Sequence, residues 1–223
     1  MAIIVAIDGA SRRNGKPDCV SVGTVFIRNT VSGSNQFINT VEPESTSQRG
    51  EINALLSALD RINKNGSRVS NLIMVSDSEY IYNTVTKQWY DNWANKGWVT
   101  AEGNAVKNQD QWEAATKLLG EIDAQDIELP MYHIKGHLVN ITKAQGRKLI
   151  EKFDNCQELY AFAKDAATKL VIERGYDEEL IKALDTFEKN HGFLPEDDVL
   201  VELIACNTVA DVVAGYTIDN LEK

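Results

Sequence analysis

The sequence predicts an α/β fold in which a mixed sheet, antiparallel in its first part and parallel after it, carries helices against its faces. Three observations lead there. The first 43 residues hold three β-rich runs joined by short turns. At Glu51 the apolar spacing changes from strand to helix, and two short apolar runs of strand length then alternate with helical stretches.

"AIIVAID" is an unbroken apolar run of strand length, and "DGASRRNGKPD" after it has the Gly, Asn and Pro of a turn. "CVSVGTVFIRN" alternates as a second strand and "SNQFINTVE" reads as a third, so the three form an antiparallel meander. From Glu51, the residues Ile52, Leu55, Leu56, Leu59 and Ile62 fall at helical spacing, and the "NKNG" stretch ends the run with Gly66 where a helix C-cap belongs. "NLIMVSD" is a short buried strand, Ser78 to Trp89 a helix, "QDQWEAATKLLGEI" another helix, and "LPMYHIKGH" a strand running into a loop. Residues 138–205 read as almost wholly helical, and "NTVADVVAGYTID" as a short closing helix.

Composition narrows the class. The chain has 223 residues, 43% hydrophobic and 25% charged, enough for one full core and a small second one. No apolar run approaches the ~20 residues of a membrane span, and the start lacks a signal-peptide pattern, so a cytoplasmic protein without membrane contact is expected. Cys19, Cys156 and Cys206 are odd in number and far apart, which points to reduced thiols rather than a disulfide framework or a zinc site. A formal net charge of −10 argues against generic polyanion binding, so any contact with a phosphate backbone has to be local or helped by metal ions. Residues 138–205 carry nine Lys/Arg against fourteen Asp/Glu, an acidic stretch that disfavours a second nucleic-acid grip.

The candidate chemistry lies in carboxylates placed among apolar residues. Asp8 closes the run Ala2 to Ile7, and Asp77 closes "LIMVS" in the same way; in open sheets ligands bind beyond the carboxyl ends of strands. Glu51 stands at the margin of the Ile52/Leu55/Leu59/Ile62 stripe, one turn before Leu55, and so points along the sheet-facing edge. Asp211 is bordered by Val209, Ala210, Val212 and Val213. Singly, an acid in a first helical turn or after a strand is ordinary. Four converging acids would repel one another and hold raised pKa values unless divalent cations neutralised them, and Mg²⁺ or Mn²⁺ suits such oxygen-rich sites.

In order along the chain, "IDGASRRNG", "TSQRGEINALLSAL", "VSDSEYI", "WYDNWANKGWVTAEGNAVKNQDQW", "YHIKGH" and "NTVADVVA" make the sequence resemble a type 1 ribonuclease H over residues 1–137 and 206–223. The resemblance implies a mixed five-stranded sheet flanked by helices, forming a discontinuous catalytic domain of residues 1–137 and 206–223. A helical insertion subdomain of residues 138–205 would interrupt it. It also implies an endonuclease that hydrolyses the RNA strand of RNA–DNA hybrids with two Mg²⁺ ions, Mn²⁺ substituting, and leaves 3′-hydroxyl and 5′-phosphate ends. Asp8, Glu51, Asp77 and Asp211 match its metal-binding catalytic acids, and His137 its mobile-loop histidine near the scissile phosphate, which is suited to proton transfer at neutral pH. Asn14, Ser47 and Gln48 match positions that read RNA 2′-hydroxyls, and Thr46 one that holds a DNA phosphate. Trp89, Trp93, Lys96, Trp98 and Lys107 lie in the segment that forms the substrate-binding protrusion, with Trp89 expected to stack on DNA sugar and Trp93 and Trp98 to pack the protrusion together.

Two departures qualify the match. Glu79 stands where the family often has an amide that donates to RNA, and the segment 89–112 has only Lys96 and Lys107 against Asp91, Glu102 and Asp110. Weak hybrid binding, strongly aided by Mg²⁺, is therefore expected. The insertion is expected to pack beside the active-site loop or bind a protein partner, the whole being a monomer. The competing readings are a DNA-cutting nuclease or resolvase of the same superfamily, and a catalytically weak module that binds partners through the insertion.

Overall fold

The computed structural model describes residues 2–65, 71–151, 156–173 and 177–221. Five strands form one sheet: β1 (Ile3–Arg12), β2 (Val20–Asn29), β3 (Asn35–Pro43), β4 (Leu72–Ser76) and β5 (Met131–His133). Their order is β3-β2-β1-β4-β5, with β1–β2 and β2–β3 antiparallel and β1–β4 and β4–β5 parallel. The helices are α1 (Ser47–Asn65), α2 (Glu79–Thr86), α3 (Trp89–Asn95), α4 (Gln109–Asp123), α5 (Lys143–Glu151), α6 (Gln157–Thr168), α7 (Glu178–His191) and α8 (Asp197–Asn220). A π-helical turn, Lys169–Glu173, extends α6.

Strand alternation divides the core in two. Val5, Ile7, Leu72 and Met74 point to one face, where they bury against Ile52, Leu55, Leu59 and Ile62 of α1 and against Trp112 of α4. Ile4, Ala6, Phe26 and Val75 point to the other, against α6, α7 and α8, with Leu159, Leu180 and Phe187 almost fully enclosed. Each buried Val, Leu, Ile, Met or Phe among them contributes about 1.5–3 kcal/mol by leaving water. Residues 138–205 thus supply much of the layer that covers the second face of the sheet.

Several elements differ from their sequence reading. The "GASR" stretch read as a turn is strand, because β2 continues to pair with it as far as Arg12↔Val20. The helical stretch from Ser78 to Trp89 is broken at Lys87 and Gln88, the latter in left-handed conformation at φ 52°, and a separate α3 begins at Trp89. Gly66, read as the cap of α1, lies outside the described residues. The boundary drawn between residues 205 and 206 falls inside α8, which runs unbroken for 24 residues in place of the short closing helix.

By length and mean hydropathy α8 is also long and apolar enough to cross a membrane, contrary to the expectation from the sequence. Most of its surface is apolar because most of it is packed: β1 and β2 lie against one flank and α5 and α6 against others, and 67% of its most apolar window is buried.

Candidate active site

The site forms where β1 and β4 part. Their parallel register ends at Ala6↔Val75, β4 stops at Ser76, and β1 continues alone alongside β2. Asp8 and Asp77 are each two residues beyond that last pair, so they are level with one another. Asp8 therefore lies within β1, opposite Thr24 of β2, and does not close the strand as the sequence suggested. Alternation turns both acids to the side of Ile4, Ala6 and Val75, the face that α8 covers.

On α8 the residues Asn207, Asp211, Gly215 and Asp219 recur every four positions and make one stripe along the helix. Asn207 is 3% exposed and its amide hydrogen-bonds Asp77. One turn on, Asp211 comes within electrostatic reach of Asp8 and Asp77.

Glu51 arrives from the opposite face, on the first turns of α1. Its passage depends on Gly9: a Cβ there would lie 2.4 Å from the Glu51 backbone nitrogen and 2.8 Å from its Cγ. Ser78, the N-cap of α2, donates to Glu51 Oε2 at 2.6 Å and accepts from the Ile81 amide, so one hydroxyl sets both the helix start and the carboxylate. Gly136 does for Asp77 what Gly9 does for Glu51, since a Cβ at Gly136 would lie 2.2 Å from Asp77 Oδ2. His133 Nε2 lies 3.1 Å from the Asp77 carbonyl oxygen.

All four carboxyl groups are held above their ordinary pKa. For Asp8 the cause is burial first, then repulsion from Asp77, Asp211 and Glu51, and the group is raised well above the usual carboxylate range. Burial also leads for Glu51, opposed by the Ser78 hydrogen bond and reinforced by Asp77. Burial raises Asp77 against the pull of Asn207, His137 and His133, and it raises Asp211 together with the Asp77 charge, with His137 opposing.

These residues fit a divalent cation. The donors are all carboxylate oxygens, their charges are mutually uncompensated, and the neighbouring Asn207 keeps its Oδ1 buried with no partner among the described residues. Among those residues no three His, Cys, Asp or Glu side chains stand close enough together to hold an ion as they are placed.

The other predicted residues fall into groups. His137, at φ 58° in the loop after β5, is exposed and places Nδ1 3.1 Å from Asp211 Oδ2. Asn14 and Ser47 meet directly: Asn14 Nδ2 donates to Ser47 Oγ at 3.0 Å and the Ser47 amide donates to Asn14 Oδ1 at 3.3 Å. Thr46 caps α1 by accepting from the Arg49 amide at 3.2 Å, and Thr46 and Gln48 are both exposed at that helix start. Trp89 is half-buried and lies 6.3 Å from Trp93, whereas Trp93 and Trp98 pack against the α1-side core. Lys96 and Lys107 are exposed on the same segment, and Glu79 is exposed and accepts from Asn83.

Sequence reading missed Gly9, Gly136, Ser78 and Asn207. Only Asn207 had a local signal, an amide four residues before Asp211 in an apolar run. It also missed Arg49, whose guanidinium forks between Glu42 and Asp110 at 2.8 Å each. That pairing ties the start of α4 to α1 and neutralises one of the three acids of the segment 89–112.

A β3-β2-β1-β4-β5 mixed sheet with four acids gathered where β1 and β4 part defines a nuclease of the ribonuclease H class. The chain belongs to the RNase H family, whose model matches residues 1–148. It is 28% identical over 163 residues to a ribonuclease H of Clostridium botulinum strain Hall, covering 73% of this chain and 95% of that one. A ribonuclease H of Prochlorococcus marinus strain NATL1A is 33% identical over 138 residues, covering 61% and 78%. Among solved structures, LC9-RNase H1, described as a type 1 RNase H with the type 2 active-site motif, superimposes with a TM-score of 0.49 at 22% identity over 66% of this chain and 69% of its own. The solution structure of the PFV RNase H domain gives a TM-score of 0.48 at 19% identity over 72% and 95%. Because the family match ends at residue 148, Asp211 is placed in the site by the packing of α8 and not by that match.

Proposed function

We propose that this ribonuclease H hydrolyses the RNA strand of RNA–DNA hybrids, with Asp8, Glu51, Asp77 and Asp211 holding two Mg²⁺ ions, and leaves 3′-hydroxyl and 5′-phosphate ends. The observation that carries the reading is the convergence of these four acids, from β1, α1, the end of β4 and α8, at the parting of β1 and β4. Bound there, the ions would activate the attacking water and stabilise the departing oxygen.

The protein's own groups do the rest. Gly9 and Gly136 clear the space that Glu51 and Asp77 occupy, while Ser78 and Asn207 fix those carboxylates by hydrogen bonds, so the acids are oriented before substrate arrives. His137 is open to solvent yet 3.1 Å from Asp211, a position from which its imidazole can take up or deliver a proton beside the reacting phosphate. The paired Asn14 and Ser47 present short donors and acceptors of the kind that recognise a 2′-hydroxyl. Thr46 and Gln48 stand at the start of α1, where the helix end favours a phosphate. The half-exposed Trp89 offers an apolar face for a sugar, and Lys96 and Lys107 a modest attraction for the backbone. Mn²⁺ is expected to replace Mg²⁺ because the donors are all hard oxygens. The setting proposed is the cytoplasm, with the chain acting as a monomer.

The test is a cleavage assay of purified protein on end-labelled hybrid, duplex RNA and duplex DNA, each with Mg²⁺, Mn²⁺ or chelator. Metal-dependent cutting confined to the RNA of the hybrid is expected, and it should vanish in Asp77→Asn. Equal cutting of duplex DNA would move the chain to the DNA-cleaving branch of the superfamily; full activity in Asp77→Asn would remove the metal-site assignment.

A further inference from the structure

Residues 138–205 are acidic in sum, yet their charge is not evenly spread. Every one of their fourteen Asp and Glu lies at or beyond Glu151, while Lys143, Arg147 and Lys148 all precede it on α5. This short basic helix sits beside the acid cluster. A cavity of about 800 Å³ is lined by His137 and Asp211 at one end and by Lys143, Arg147, Lys148 and Asp219 along its length.

Two contacts join α5 to α8 along the cavity. Gly146 is buried, and a Cβ there would lie 2.7 Å from Val212 Cγ1, so its missing side chain lets α5 approach α8 next to Asp211. Lys143 Nζ pairs with Asp219 Oδ2 at 3.0 Å and holds the other end. Thr142 and Gln145 form a reciprocal cap at the start of α5: the Thr142 amide donates to Gln145 Oε1 at 3.0 Å and the Gln145 amide to Thr142 Oγ at 3.3 Å. Arg147 and Lys148, on successive positions of the helix, are both exposed. Asp211 and Asp219 are two turns apart on α8, about 12 Å along its axis, a length that spans roughly three phosphates of one strand.

We propose that α5 is a substrate-binding element in which Arg147 and Lys148 hold phosphates of the nucleic-acid strand next to the one being cut, with the strand leaving the acid cluster through this cavity. The inference rests on the reading of the site as a nuclease centre and adds where the substrate goes from it. It also gives the acidic chain the local basic contact that its net charge of −10 requires, on the side of the site opposite the sparsely basic segment 89–112. Lys143 is already paired with Asp219. The ligand chemistry is a chain of phosphodiesters, not a single phosphate, because two cations beside a third held in a salt bridge fit a run of singly charged groups.

The experiment measures binding of a fluorescent RNA–DNA hybrid by anisotropy in chelator, across a series of salt concentrations, so that cleavage plays no part. Arg147→Gln with Lys148→Gln is compared with the wild type and with Lys64→Gln plus Lys117→Gln, which removes equal charge from α1 and α4 away from the cavity. The first pair should lower the slope of log K against log salt by about 1.4–1.8 and weaken binding about tenfold at low salt, whereas the second leaves the slope within experimental error. Inorganic phosphate at millimolar concentration should not reverse the difference; if it abolishes wild-type binding, the cavity is a single-anion site and the strand contact is wrong. Should both pairs shift the slope equally, the effect is bulk charge and the proposal fails while the nuclease reading stands. A wild type that neither binds nor cuts the hybrid overturns both.

Discussion

Gly136→Ala isolates the positioning of one carboxylate from everything else in the site. Gly136 does not need left-handed backbone, so alanine brings no conformational strain. The added Cβ would lie 2.2 Å from Asp77 Oδ2, 3.1 Å from Cγ and 3.3 Å from Cβ. Ordinary contact begins near 3.4 Å, so the oxygen must retreat by about 1.2 Å, by rotation about the Asp77 side chain. A misplacement of about 1 Å in a catalytic constellation costs on the order of 10²-fold in rate, which is about 2.7 kcal/mol of transition-state stabilisation. Stability should barely change, because the clash is with the end of a side chain and not with backbone. Steady-state cleavage of a short labelled hybrid and thermal unfolding by circular dichroism measure the two effects. The expected result is kcat/KM down about a hundredfold with Tm within about 3 °C of wild type. Activity within twofold of wild type would refute the reasoning, because it would mean that the position of Asp77 is not what Gly136 protects.

Asp8→Asn removes the most deeply buried of the repelling charges: cleavage should be lost, while the metal-free protein gains on the order of 1 kcal/mol and about 2–4 °C in Tm. The sign follows from the raised pKa of Asp8. The folded metal-free protein holds protons that the unfolded chain has released, so its stability falls as pH rises from the unfolded carboxylate value through the raised folded one. Melting curves in chelator between pH 4 and 8 check this, and a flat wild-type profile would contradict it. Mg²⁺ at about 100 times its Kd should restore about 2.7 kcal/mol to the wild type and little to Asp8→Asn. Gly9→Ala is expected to be worse for folding than Gly136→Ala, by about 1–3 kcal/mol, since its Cβ meets the backbone of α1 at 2.4 Å and not a side-chain tip. Deleting residues 139–204 should abolish cooperative unfolding outright, because it strips the cover from Ile4, Ala6, Phe26 and Val75 and removes the first third of α8; a folded, active deletion variant would show the layer to be dispensable.

Much of the site could be read from the sequence because its parts have local signatures. A carboxylate after a run of apolar residues, inside one, or at the margin of a helix's apolar stripe is visible without coordinates, and these signals single out Asp8 and Asp77, Asp211, and Glu51 in turn. Their meeting was harder to read, since it depends on the register of β1 against β4 and on alternation that turns Asp8 and Asp77 toward α8. Gly9 and Gly136 left no signal of their role, because a missing side chain matters only through what occupies its space. The strand continuing through "GASR" was misread for a related reason: Gly9 and Ser11 are weak strand formers, and the partner strand β2 overrides that preference. The summed charge of residues 138–205 hid the basic start of α5, since a net figure averages over a helix that packs by the active site and others that do not.

The length of α8 explains why a catalytic acid is carried so far beyond the rest. A slip of one residue along α8 would turn Asp211 by about 100°, out of the site. Its register has to be set by specific contacts, and these are spread along it. Near its start, Glu202 accepts from the Tyr160 hydroxyl and from Lys164 Nζ of α6, both at 2.6 Å. Beside Asp211, Val212 fills the notch that Gly146 leaves in α5. Toward its end, Thr217 Oγ accepts from Asn39 Nδ2 of β3 at 2.9 Å, and Arg12 of β1 donates to the Ile218 carbonyl. Two of these three anchors belong to the helices of residues 138–205, so that layer holds the angle at which Asp211 faces Asp8 and Asp77.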